Sequence, residues 1–288
     1  MSRLVKRLLV FFIGIPLLVG LVLFLPHCRH LAFNIVVILF SALGAVEFSA
    51  MLEKKKMGVA RIEAFILGAL APASLTLTLS FNCPQWIVPL LLMTGACWIL
   101  ASRVFSGQAH METVANYIAA GFSVLIYPGF FMYWLVKMAA WENAGVIIFI
   151  FLMIVLGSDA AAWLSGTLFG KNNRGIIPAS PNKSIAGFIG VVFGSIIVSG
   201  SAVLIVPGVF ISRTDSIPSL CMAVIVGICT GIAAALGDLA ESVIKRSCNT
   251  KDSGKLMLGR GGVLDSIDSI AFAAPLFFLL FNVLFVNS

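Results

Sequence analysis

The sequence predicts an all-α integral membrane protein with about nine transmembrane helices, the N-terminus cytoplasmic and the C-terminus on the opposite side. Three observations carry this expectation. Hydrophobic residues make up 60% of the 288-residue chain and charged ones only 11%, and the mean hydropathy is +1.08, outside the range of soluble domains. The apolar residues gather into runs of about 20, the length a helix needs to cross roughly 30 Å of hydrocarbon. Lysine and arginine concentrate in alternate connections, as they do in loops retained on the cytoplasmic side.

In chain order the runs cover about 7–25, 31–52, 64–81, 86–102, 117–136, 144–168, 185–209, 218–244 and 269–286. The first follows Arg3, Lys6 and Arg7, but Pro26-His27-Cys28 is a poor cleavage site and further spans follow at once, so a retained helix is expected. Only the short Asn82-Cys83-Pro84-Gln85 turn divides the third run from the fourth. Trp86, Tyr133, Trp134 and Trp141 fall near span ends, where an aromatic belt sits. Runs such as VIIFIFLMIVLG are too continuously apolar for the alternating strands of a barrel. With the N-terminus inside, sixteen of the nineteen lysines and arginines lie on the cytoplasmic side, and only Arg29, Lys137 and Arg213 on the other.

The net charge of +7 is thus explained by topology and by attraction to anionic headgroups, without nucleic acid. The six cysteines show no metal-ligand spacing, so neither a zinc site nor a disulfide framework is expected. Residues 1–140 read as a scaffold of membrane helices with little to do chemistry. Glu47 lies near the end of the second run, close to Lys54, and reads as a solvated or snorkelling interfacial residue, and the Lys54–Lys56 triplet as a topology determinant. Residues 141–288 read as the catalytic region, with cytoplasmic-side loops at 157–184 and 238–268.

The second loop is the most polar part of the chain. Asp238 closes the apolar run CMAVIVGICTGIAAALGD, and a carboxylate at a membrane boundary is costly unless paired, hydrated or bound to a cation. Asp238, Ser242 and Lys245 share a helical face, with Arg246 beside them. Lys251, Asp252 and Gly254 come after a Cys-Asn-Thr break, and then Gly259-Arg260-Gly261-Gly262, a loop able to fold backbone amides around phosphate oxygens. Asp265 and Asp268 stand at i, i+3 where the last span begins. Carboxylates beside several cations suit hydrated Mg²⁺ and a polyphosphate, hence phosphoryl or nucleotidyl transfer by positioning and electrostatics. A solvated loop whose charges pair with one another is the plain alternative.

At this point the sequence resembles a known family. GDLAE followed by SVIKRSCNTKDSGKLMLGRGGVLDSID is similar to the C-terminal signature of the phosphatidate cytidylyltransferases, with Ser242, Lys245, Arg246, Lys251, Asp252, Gly254, Gly259, Gly261, Gly262, Asp265 and Asp268 at matching spacings. GSDAAAWLSGTLFGK at 157–171 and SPNKSIAG at 180–187 resemble the family's upstream loop. The likeness is good over about residues 150–288. The chain departs from the pattern at Leu258 (proline in the family), Arg260 (histidine), Ser266 (arginine) and Ala186 (glutamate).

The resemblance implies transfer of a cytidylyl group from CTP to phosphatidate, giving CDP-diacylglycerol and pyrophosphate. It implies Mg²⁺, with a second, monovalent cation left open. Asp238 and Asp265 are expected to hold the metal with Asp268 in support, and Ser242, Lys245, Arg246, Lys251 and Asp252 to surround the phosphates with Gly261, Gly262 and Arg260. Asp159, Lys171, Ser180 and Lys183 are expected to complete the pocket. The site would face the cytoplasm from a bacterial inner membrane. A kinase or cytidylyltransferase using CTP on another lipid, such as a polyprenol or ether lipid, stays open, and more remotely a transporter. The small residues of GFIGVVFGSIIVSG suit a homodimer as well as contacts within one chain.

Overall fold

Helix formation follows the apolar runs. The computed structural model describes residues 14–104, 112–213, 217–257 and 261–285. Its helices are α1 (Ile15–Phe24), α2 (His27–Glu53), α3 (Arg61–Phe81), α4 (Ile87–Ala101), α5 (Val114–Met138), α6 (Ala144–Phe169), α7 (Ile185–Ile205), α8 (Ser219–Ser247) and α9 (Leu264–Leu284). Among the described residues there is no strand, only isolated bridges.

Seven of these helices, all but α1 and α4, are long and apolar enough to cross a membrane. The chain is therefore an all-helical integral membrane protein, and the described helices supply seven spans where the sequence suggests nine. Helix α4 has 15 residues, about 22 Å at the α-helical rise, short of the hydrocarbon thickness. The preceding connection bounds its start: Asn82 takes a left-handed conformation at the end of α3 (φ 54°), and Pro84 lies within the turn before Ile87. Part of the expected first run, residues 7–13, lies outside the described residues.

Local breaks have local causes. Cys28, Arg29 and His30 have positive φ, so right-handed helix in α2 starts at residue 31, where the apolar run begins. Pro128 removes a ladder donor inside α5, and Leu125–Phe130 form a π-helical stretch around it. Helix α8 ends at Ser247, and just beyond it Asn249, in the left-handed region, donates its N–H to Arg246 O at 3.0 Å.

The described residues form two compact units. One comprises those up to Ala139 together with Lys245–Ile267, and the other Ala140–Ile244 together with those from Asp268 onward. Within the first, α2 packs on α3 with Ser41 Oγ donating to Gly68 O at 2.7 Å, and Gly44 admits Ile267 and Leu264 so closely that a Cβ there would lie 3.2 Å from Ile267 Cδ1. Within the second, small residues do the same work across α6, α7 and α8: a Cβ on Gly190 would lie 2.6 Å from Ala161 O, and one on Gly227 2.9 Å from Ser195 O. With no hydrophobic drive between helices in lipid, such close backbone approach supplies much of the packing. Phe277, Phe281 and Phe285 stack along α9, and Trp141 lies flat on Phe278 at 4.7 Å.

Candidate active site

The chemistry-bearing residues fall into two groups. The first is built where α6 runs out and α7 starts. Gly170 N donates to Gly166 O at 3.1 Å, ending α6, and Ser184 caps α7 by accepting from Gly187 N at 3.1 Å. The intervening chain folds back on α6, with Arg174 Nη2 donating to Gly166 O at 3.0 Å. Between these elements and α8 lies a pocket of about 500 Å³, lined among others by Asp159, Trp163, Arg174, Lys183, Ser184 and Asp238. Its lining mixes these charged residues with apolar ones, Phe188, Val191 and the 72% exposed Trp163.

Lys183 Nζ reaches Asp238 Oδ2 at 2.7 Å, so the two site residues expected in separate loops meet in one place. Asp238 also belongs to a cluster with Glu241 and Asp268, each offering a carboxylate oxygen within 4.8 Å of the others. Glu241 is fully buried and Asp268 is 6% exposed. Asp238 and Glu241 are one helical turn apart on α8, while Asp268 comes from the first turns of α9. Gly237 permits this approach, since a Cβ there would lie 2.7 Å from Asp268 O.

The second group is organised by Asp265. Its Oδ1 accepts from Lys245 Nζ at 2.6 Å. Its Oδ2 accepts from Gly262 N at 2.7 Å and Ser253 N at 3.0 Å, and lies 2.9 Å from Ser253 Oγ. Charge-assisted bonds of this kind are the strong ones, and they hold Ser253 and Gly262 against the start of α9. Gly261 has φ +107°, and a Cβ there would lie 2.6 Å from Asp265 Oδ2, so both conformation and space demand glycine. Met257 N closes the loop on Gly261 O at 3.0 Å.

Asp265, expected to share the metal with Asp238, has both oxygens engaged by Lys245, Ser253 and Gly262, while Glu241 and Asp268 are the carboxylates grouped with Asp238. The i, i+3 spacing of Asp265 and Asp268 puts them on one helical face, but different neighbours claim them. Ser242 is half-buried, and Arg246, Lys251 and Asp252 are exposed. Lys171 is exposed and Ser180 half-buried in the connection before α7, and neither lines the pocket. Arg260 lies outside the described residues.

A family model described as the cytidylyltransferase family matches residues 5–284. The chain belongs to this family. The match takes in the N-terminal helices as well as the C-terminal region where the sequence resemblance is good. Among curated proteins the chain is similar to the uncharacterized protein YnbB of Escherichia coli K12, 30% identical over 207 residues, covering 70% of this chain and 65% of that protein. It is 35% identical over 179 residues to a phosphatidate cytidylyltransferase of Helicobacter pylori, covering 61% and 59%. It is 37% identical over 139 residues to one of Staphylococcus saprophyticus, covering 48% and 50%. The matches span about half to two thirds of the length of these relatives.

Within this cytidylyltransferase frame, the sequence reading passed over Glu241 and Glu47. Glu241 stands three residues after Asp238, the same spacing that drew attention to Asp265 and Asp268, so the signal was present. Glu47 carried the signal of a carboxylate in an apolar run, but nearby Lys54 suggested an interfacial residue. The structure buries it to 6% exposure instead.

Proposed function

We propose that this chain is a phosphatidate cytidylyltransferase of a bacterial inner membrane, with its site on the cytoplasmic side and the nine-span, N-terminus-in topology of the sequence reading. The phosphate oxygen of phosphatidate forms a bond to the α-phosphorus of CTP while the bond from that phosphorus to the bridging oxygen of the β-phosphate breaks. CDP-diacylglycerol and pyrophosphate result, and no protein nucleophile is consumed. The observation that carries this reading is the family match together with the pocket at Lys183 and Asp238, which adjoins a three-carboxylate cluster. A volume of about 500 Å³ suits a small polar ligand.

The residues present fit Mg²⁺. Three hard carboxylate oxygens converge within 4.8 Å, two of them from buried side chains, and such a concentration of desolvated negative charge favours a hard divalent cation. We assign Asp238, Glu241 and Asp268 as its holders. When bound, the ion supplies charge neutralisation between two phosphate-bearing reactants. Lys183 and Arg174 contribute cations at the pocket, and Asp159, with Lys171 and Ser180 of the connection before α7, the nucleotide side. Ser242, Lys245, Arg246, Lys251, Asp252, Gly261, Gly262 and Arg260 carry the phosphate-binding roles the family pattern gives them, and Asp265 anchors the glycine loop. A monovalent cation and a homodimer complete the scheme as proposals without a specific contact to carry them.

The test uses purified chain in detergent with phosphatidate and CTP labelled either in the base or at the γ-phosphate. Base label in the lipid extract supports the reading. Label only from the γ-phosphate indicates a CTP-dependent kinase, and base label incorporated only with a polyprenol or ether lipid indicates the alternative acceptor. No label in lipid from either position points to transport or an inactive relative.

A further inference from the structure

Among the described residues, Glu47 is the buried carboxylate that the proposed chemistry leaves unused. It sits on α2 one turn after Gly44, the residue whose missing side chain lets Leu264 and Ile267 approach. Its Oε2 accepts from Leu264 N at 3.0 Å and from Ser253 Oγ at 3.2 Å. Leu264 N belongs to the first turn of α9, where backbone donors lack an intrahelical acceptor. Ser253 Oγ also accepts from Asp265 N at 3.2 Å and lies 2.9 Å from Asp265 Oδ2. One hydroxyl therefore links Glu47 to the carboxylate that holds Lys245. The glycines of this loop are shaped around the same side chain: a methyl group on Gly254 would overlap Glu47 Oε1, and one on Gly262 would overlap Glu47 Oε2.

We propose that Glu47 is a positioning residue for cytidylyl transfer: it fixes Ser253 and the first turn of α9 and so holds Asp265 where it binds Lys245. The proposal rests on the functional reading above for its effect on turnover, but not for its effect on the loop. No atom of Glu47 touches substrate in this scheme. What matters is an acceptor oxygen of the right reach, which a glutamine carbonyl also provides.

Two readouts on the full-length chain in detergent test it. Glu47→Ala is expected to lower kcat for base-labelled CTP by about 100-fold while KM for CTP moves by less than about threefold, and Glu47→Gln to recover most of the loss. Independently of turnover, trypsin cleavage after Lys251 and Lys255 is expected to run about tenfold faster in Glu47→Ala and at the parent rate in Glu47→Gln. Equal cleavage rates in parent and Glu47→Ala overturn the positioning role whatever the chain's activity. Faster cleavage with no transfer by the parent itself leaves positioning of the loop standing and removes the cytidylyltransferase reading. Glutamine as damaging as alanine in both readouts overturns the acceptor argument.

Discussion

Lys183 Nζ lies 2.7 Å from Asp238 Oδ2, joining the connection before α7 to the second half of the proposed catalytic helix α8. Both side chains are partly exposed, so the pair contributes little to folding. Its significance is positional, since it aims an ammonium group into the pocket beside the carboxylate cluster.

Removing that ammonium should weaken nucleotide binding more than it weakens the fold. Lys183→Ala is expected to raise KM for CTP about tenfold, the scale of one charge-assisted hydrogen bond, with the thermal midpoint within a few degrees of the parent. Steady-state kinetics at varied CTP and a thermal scan check this together.

The carboxylate cluster and the Asp265 anchor are separable by metal titration. Glu241→Gln and Asp268→Asn should raise the Mg²⁺ concentration needed for half-maximal transfer by at least about tenfold. Asp265→Asn should instead depress kcat at an unchanged Mg²⁺ requirement, because its oxygens serve Lys245, Ser253 and Gly262. A raised Mg²⁺ requirement in Asp265→Asn would return that residue to the metal.

Gly261→Ala combines an unfavourable φ of +107° with a Cβ 2.6 Å from Asp265 Oδ2. A cost of about 1–3 kcal/mol is expected, read as a drop in transfer of about 5- to 150-fold. A parent-like rate would mean the loop accepts another conformation during turnover.

Arg260 stands where the family pattern has histidine, and Ser266 where it has arginine. The Ser266 hydroxyl turns to its own backbone, donating to Gly262 O at 3.2 Å, and supplies no cation. Arg260→Ala should therefore abolish transfer, and Arg260→Ala with Ser266→Arg should restore part of it. Full activity in the single variant removes the compensation.

Much of the fold was legible because membrane insertion reads hydrophobicity locally. The start of α2 after residue 30, the break at Asn249 and the cap at Ser184 all follow from nearby residues. Helix α4 matches its expected run to within a residue at each end, and its 15 residues are too few for a full crossing. In the candidate site, Asp238, Lys183 and Asp268 were visible from residue type and spacing. Which carboxylates meet was not, because helical periodicity fixes a face and leaves the neighbour open. Glu47 was hidden by distance along the chain: its bond to Ser253 closes a separation of 206 residues, and no local window contains both partners.

The apolar residues that line the pocket, Trp163, Phe188 and Val191, carry a kinetic expectation for the proposed function. A lipid that arrives along such a wall is supplied by lateral diffusion, so the quantity that saturates the enzyme is its mole fraction in the sheet, not its amount in the tube. Diluting phosphatidate with an inert phospholipid at constant total phosphatidate should slow transfer, while the product stays in the same leaflet for whatever reaction consumes it next.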